Sequence, residues 1–280
     1  MKRFVASIAV LGLLLLALPK QGDAQVLTPD DNGIIPEPPK SYNHNMVFPY
    51  PHLREADLMW STRHWERINV KHKANFHLYY PIQGFPGRKS LYDVLVDGIL
   101  EENTIVEVFA NDNFEIPLTP DQVYNYVNMI DTIRDPDDPT QIVLIDTISI
   151  TSKDVIAWEI KSDWFFDKQR GEMKNRIIGL SPVVRNPSTE EKYNLFWVWF
   201  PDARYALATH QAYNTQNRAM RLTYDQVFHL RYFDGVIFKE DNVYDRSIEE
   251  YKRNSNLDQL LEAQRIKNNL RSFESELWEY

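Results

Sequence analysis

Residues 155–184 read VIAWEIKSDWFFD, then KQRG, then EMKNRIIGLSPVV. Both outer runs are rich in β-branched and aromatic side chains, and Lys168-Gln169-Arg170-Gly171 between them is polar and ends in glycine. The pattern predicts a β-hairpin, Val155 to Phe166 returning through Met173 to Val184. More strand signal lies on either side, at Ile142 to Ile150 and Val236 to Phe238. Leu195 to Phe200 (LFWVWF) is an unbroken apolar run, as expected of a central strand covered on both faces.

Helical patterns flank these strands. Ser90 and Asp93 have capping-box spacing before a stripe of Leu91, Leu95 and Ile99. Glu101-Glu102-Asn103 then turns the chain into a β-like run, Thr104 to Phe109. Thr119, Pro120 and Gln122 open a shorter helix bearing Val123, Val127 and Ile130, and Thr223 with Gln226 opens another. Arg54 to Asn69 is also read as helix, with Leu58, Trp65 and Ile68 on one side and Leu53, Ala56 and Trp60 on the other. Strand clusters bordered by helical clusters predict an α+β fold, a largely antiparallel sheet flanked by helices.

The ends of the chain have their own character. Lys2 and Arg3, the apolar run Phe4 to Leu18, and Gly22-Asp23-Ala24 form a secretory signal pattern over 1–24, with cleavage expected after Ala24. The run is shorter than the ~20 residues a spanning helix needs. Residues 25–52 hold Pro29, Pro36, Pro38, Pro39, Pro49 and Pro51 and read as a Pro-rich extended arm. The main domain is expected over 53–250, and a long amphipathic C-terminal helix over 251–280. In that helix Ala263, Ile266, Leu270, Phe273 and Leu277 share a stripe, while Leu257 and Leu261 fall on the far side. Lys252, Arg253, Arg265, Lys267 and Arg271 make its first part basic, and Glu274, Glu276 and Glu279 make its end acidic. Docking onto an acidic surface, such as the 93–146 segment of a neighbour, and packing back on its own domain are both open readings.

Composition excludes several kinds of chemistry. Of 280 residues none is cysteine, so there is no disulfide framework, thiol nucleophile or cysteine-rich metal site. Only 9 glycines leave little material for phosphate-cradling loops. A formal net charge of -9 argues against a nucleic-acid binder. Removing 1–24 takes away Lys2, Arg3, Lys20 and Asp23, and shifts the net charge to -11. Between Asp93 and Asp146 thirteen acidic residues face a single base, Arg134. Such a segment is either a solvated acidic face or a contact for a basic partner, with Asp135, Asp137 and Asp138 as its sharpest point. The tight turn around them lacks the D-x-D-x-D-G pattern and distal Glu of a calcium loop.

Catalytic patterns are not found. The histidines (44, 52, 64, 72, 77, 210, 229) form no H-E-x-x-H, and there is no G-x-S-x-G, S-x-x-K or Walker sequence. Asp163 and Asp167, on one strand, would stand about 13 Å apart at roughly 3.3 Å per residue, beyond the ~6.5–9.5 Å of an inverting glycosidase pair. The abundant Trp and Tyr would suit a sugar-stacking platform, but they fall mostly inside apolar runs, where core packing is the better account. A carbohydrate-binding protein or hydrolase of the periplasm is the alternative reading.

Several ordered stretches resemble one family. They are Leu53-Arg54-Glu55-Ala56-Asp57-Leu58-Met59-Trp60 with Tyr79-Tyr80-Pro81, Asp163 through Arg170 followed by Arg176-Ile177-Ile178-Gly179, Leu195-Phe196-Trp197-Val198 through Pro201, and Asn242-Val243-Tyr244-Asp245-Arg246. Together, over about Arg54 to Tyr251, they are similar to GldN, called PorN in oral species, a gliding-motility and type IX secretion family of Bacteroidetes. The resemblance implies a non-enzymatic periplasmic protein without cofactor. It implies a ring with a GldK- or PorK-type lipoprotein at the inner face of the outer membrane, self-association within that ring, and contact with a GldM- or PorM-type motor component. It supplies no catalytic residues. In the Asp163–Arg170 stretch, Trp164 and Phe166 are expected in the core, and Lys168 and Arg170 at the turn are the interface candidates.

Overall fold

The structure is a computed structural model that describes residues 47–84, 88–134, 142–186, 190–213, 222–253 and 255–278. The signal pattern, most of the Pro-rich arm, and Asp135, Asp137 and Asp138 lie outside the described residues.

The strands are β1 (Leu58–Asn69), β2 (Val108–Phe109), β3 (Asn128–Arg134), β4 (Ile142–Ser149), β5 (Val155–Asp167), β6 (Glu172–Arg185), β7 (Lys192–Asn194), β8 (Trp197–Trp199), β9 (Gln211–Ala212), β10 (Leu222–Thr223) and β11 (Val236–Glu240). The helices are α1 (Phe76–Tyr79), α2 (Leu91–Leu100), α3 (Pro120–Val127), α4 (Phe200–Thr209), α5 (Tyr224–His229), α6 (Ile248–Tyr251) and α7 (Asn256–Trp278). The main sheet is antiparallel in the order β11-β1-β5-β6-β8-β2, with β7 also on β6. The expected hairpin is β5 and β6, paired from Val155↔Val184 to Asp167↔Glu172. The fold is α+β with a largely antiparallel sheet and a long C-terminal helix, as the sequence pattern predicts.

The chain departs from expectation at Arg54–Asn69. A single 3-10 turn, Glu55–Asp57, leads into strand β1, which lies between β5 and β11. A strand in contact on both faces is apolar on two sides, as a sandwiched helix is. The charges between these apolar residues are cross-strand partners, since Arg63 stands opposite Asp163 and Arg67 opposite Glu159. LFWVWF also divides. Only Trp197–Trp199 is strand, and Phe200 starts α4 with Pro201 in its first turn. Phe196, Val198 and Phe200 are all buried, so a strand-to-helix junction inside the core accounts for the continuous apolarity. In Thr104–Phe109 only β2 is strand, and the N–H groups of Val106 and Glu107 donate instead to Asp202 Oδ2 at the start of α4. Ile130 belongs to β3, which pairs with β4 in a separate ribbon, and not to α3.

Local signals with a hydrogen-bond mechanism hold up well. Thr119 with Gln122 and Thr223 with Gln226 form reciprocal capping boxes on α3 and α5. Ser90 Oγ accepts from the N–H of Asp93 at the start of α2.

The core lies on one face of the sheet. Ile68, Trp158, Ile160, Leu180 and Val184 meet Leu91, Leu95 and Ile99 of α2, Ala203 and Leu207 of α4, and Tyr224, Val227 and Phe228 of α5. On the other face Phe114, from the loop after β2, lies against Gly179 of β6. Its ring makes edge contacts with Phe109 and Trp199 at 5.3 and 5.0 Å between centroids. A Cβ at position 179 would stand 2.5 Å from Phe114 Cζ, so this approach requires glycine. Gly179→Ala is expected to cost about 1–3 kcal/mol through overpacking. Urea unfolding would show it as a lower midpoint, and Phe114→Ala in the same chain would reduce the effect of the added methyl.

Candidate interaction surface

Most buried charges of the domain are committed internally. Arg204 of α4 and Asp225 of α5, both buried, form a two-pronged pair at 2.7 and 3.2 Å, and Arg204 Nη2 also donates to the Phe48 carbonyl at 2.7 Å. Arg231 holds both oxygens of Glu66 and donates to Asn175 Oδ1. Arg67 and Asn194 share Glu159, and Arg63 grips Asp163 through both of its oxygens. Lys161, opposite Trp65 in register, is buried with its ammonium on the Asp112 carbonyl at 2.6 Å and near the Trp65 and Phe114 rings. Burial pushes its pKa below the ordinary lysine value, against the opposing pull of Asp112. These contacts cross-link elements and hold no reacting group free. Arg204→Met, which strands the Asp225 carboxylate, is expected to cost about 3–5 kcal/mol, whereas Arg204→Met with Asp225→Leu recovers most of that loss. Urea unfolding of both variants distinguishes the two.

The candidate catalytic groups are scattered. Among the described residues no three or more His, Asp or Glu gather where they could hold a metal ion. His64 and His77 are buried, and burial pushes the His77 imidazole below its ordinary value. Asp163 and Asp167, the carboxylates that bracket Trp164–Phe166, are each bound to an arginine. Every tryptophan whose surroundings are described is buried or half-buried, which fits core packing better than an exposed sugar platform. A cleft of about 500 Å³ opens beside Phe76, Tyr79 and Tyr80, with Lys71, Lys153 and Arg185 at its walls.

The sequence-proposed interface residues fall in three places. In the β5–β6 turn, Lys168 is exposed, whereas Arg170 bends back to Asp167 Oδ2 at 2.6 Å. Asp167 Oδ1 accepts from the N–H groups of Gln169 and Arg170, and Gly171 closes the turn at φ +65°. The Arg170 guanidinium, then these N–H groups, hold the Asp167 carboxyl below the usual aspartate range. Phe166 is buried and Trp164 half-buried. In the tail, Arg265 pairs with Glu262, Lys252 approaches the same carboxylate, and Arg253 donates to the Glu250 carbonyl. Lys267 and Arg271 are exposed on α7. The acidic triad at 135–138 is outside the described residues.

The tail helix uses its two apolar sides differently. Ala263 and Ile266 join Ile237 of β11 and Ile248 of α6 in a small buried cluster, and the Phe273 ring lies 4.7 Å from that of Trp60. The helix therefore packs back on its own domain. Leu257, Leu260 and Leu261 stay exposed on its first turns. A second exposed pair, Val243 and Tyr244, sits in the turn after β11. Sequence reading quoted that turn but gave it no role. The available signal was an apolar-aromatic pair between Asn242 and Asp245, in a segment with no regular period.

A family described as gliding motility associated protein GldN matches residues 53–279. The chain belongs to the GldN family. Membership associates it with gliding motility and type IX secretion. The match runs past Tyr251 and takes in α7, so the tail helix is part of the family unit along with the sheet. No individually curated protein matches the chain. No helix among the described residues is long and apolar enough to cross a membrane.

Arg170→Gln should raise the Asp167 carboxyl pKa toward the ordinary aspartate value, read by carboxyl-carbon NMR titration. A depressed carboxyl pKa stabilises above the ordinary range and loses that effect as pH falls through the folded value, so the variant should also be less sensitive to acid.

Proposed function

We propose that this chain is a non-enzymatic structural subunit of the type IX secretion and gliding machinery. It acts in the periplasm, delivered by the 1–24 leader, and forms a ring-like complex with a GldK- or PorK-type lipoprotein at the inner face of the outer membrane. Within that ring it contacts further copies of itself and a GldM- or PorM-type motor component. The observation that carries this reading is the family match over 53–279, which joins the sheet domain and the tail helix in one unit. The exposed leucines of α7 and the internally committed charges support a role in assembly. The acidic stretch 93–146 is the proposed contact for a basic partner surface, with Asp135, Asp137 and Asp138 at its centre. Exposed Lys168, Lys267 and Arg271 are proposed contacts for acidic ones.

Co-expression with the GldK-type lipoprotein is expected to yield a large co-purifying assembly. A chain that stays monomeric, together with a lipoprotein whose cellular stability is unchanged when this gene is deleted, would refute the reading. If the acidic stretch makes the contact, assembly should weaken as salt rises past about 0.1–0.15 M. Assembly indifferent to salt would instead assign it to the apolar face of α7.

A further inference from the structure

The chain enters the domain through Phe48-Pro49-Tyr50-Pro51, a stretch with neither helix nor strand. Among the described residues, no backbone–backbone hydrogen bond ties 47–53 to the sheet or the helices. Side chains hold the stretch instead. Arg204 of α4 donates to the Phe48 carbonyl and Arg176 of β6 to the Pro51 carbonyl, both at 2.7 Å. Between these two bonds the Tyr50 ring meets both guanidinium groups, its centre 4.1 Å from that of Arg204 and 5.2 Å from that of Arg176. His229, at the end of α5, stands 6.4 Å from the Phe48 ring in a stacked arrangement and 6.2 Å from the Tyr50 ring. Burial pushes the Tyr50 phenol above its ordinary pKa, against the pull of Arg204.

The two sides are chemically complementary. Pro49 and Pro51 have no N–H, so the stretch presents carbonyl acceptors with few donors, and the arginine side chain is a donor only. Phe48 and Tyr50 each precede a proline and are biased toward extended backbone, which lowers the entropy lost when the stretch is ordered. Extended proline-rich segments laid against aromatic side chains are a recurring mode of peptide recognition. The receiving side is fixed by contacts of its own. Arg204 is buried and held by its two-pronged pair with Asp225, and Arg176 lies 5.2 Å from the centre of the Phe165 ring on β5. A receptor already ordered loses little freedom when its ligand seats.

We propose that this face of α4, α5 and β6 is a docking site for an extended, proline-flanked aromatic peptide, and that its occupant is the chain's own residues 48–51. The stretch acts as a tethered ligand, a latch at the entry to the domain that leaves and returns while the domain stays folded. The site stands or falls independently of the assembly reading.

The test compares the mature chain, residues 25–280, with the same chain carrying Phe48→Ala and Tyr50→Ala, and probes both with a fluorescent peptide of residues 46–53. Anisotropy should show the peptide binding the doubly substituted chain. Its affinity for the parent should be lower by about tenfold or more, because there the tethered copy competes at an effective concentration on the order of millimolar. Adding Arg176→Gln to the doubly substituted chain, or Tyr50→Ala to the peptide, should weaken binding by about tenfold, as expected of arginine and tyrosine contacts. Melting curves establish that each chain is folded. A doubly substituted chain that does not fold would make the stretch part of the core and overturn the latch. Absence of binding to the folded doubly substituted chain overturns the site, and equal binding to both chains overturns its occupation in cis. Sedimentation of the parent decides the remaining case. Self-association that the double substitution abolishes would make the occupant a second copy and overturn the latch.

Discussion

Strand β5 is paired along nearly its whole length on both edges, to β1 from Leu58↔Asp167 to Asn69↔Ala157 and to β6 from Val155↔Val184 to Asp167↔Glu172. Its parity governs the molecule. Trp158 and Ile160 point to the helical core, while Glu159, Lys161 and Asp163 point to the opposite face. A slip of one residue would expose the first set and drive three charges against α2, α4 and α5. The opposite face adds its own lock, since Asp163, Lys161 and Glu159 stand across from Arg63, Trp65 and Arg67. Each row makes a contact that a slipped register would break, so the charge pairs specify the alignment that the apolar residues stabilise.

That lock is also what made β1 hard to read. The helical reading of Arg54–Asn69 rested on apolar residues alone, on two sides of a wheel, and made no use of the charges between them. Their partners, Asp163 and Glu159, lie on another strand about a hundred residues later, and no local period reveals them. LFWVWF failed for a related reason, because burial of both halves hides the strand-to-helix junction that Pro201 marks. What was legible was local. The capping boxes of α3 and α5 and the helical tail depend on residues within a few positions of one another, and the β5–β6 hairpin on two adjacent runs joined by a short turn. The exposed turn at 242–246 was legible only as a string, because exposure belongs to the folded surface and leaves no periodic trace.

The structure also narrows the electrostatic account of the proposed assembly. Counted along the sequence, the start of the tail is strongly basic. In the fold Arg265 and Lys252 converge on Glu262, and Arg253 bonds backbone, so less of that charge faces a partner than the count implies. Arg170 is likewise folded onto Asp167. Surface pairs of this kind contribute little stability and mainly set side-chain geometry. On α7 the exposed Lys267 and Arg271 keep their charge beside the exposed leucines.

The exposed apolar residues of the tail and of the turn after β11 share one foundation. Ile237, Ile248, Ala263 and Ile266 form a small cluster separate from the main core, and it joins β11, α6 and α7. The Val243–Tyr244 turn is strung between two of its members, and Leu257, Leu260 and Leu261 lie within two turns ahead of Ala263 on the same helix. A cluster this small stabilises its elements by much less than the main core stabilises the sheet. α6 and α7 are therefore expected to open locally before β1, β5 and β6 do. Any partner that grips both the turn and the leucines would tie α6 and α7 to the sheet from outside. Binding and local order would then be thermodynamically linked, with a partner reinforcing the elements that bury least on their own.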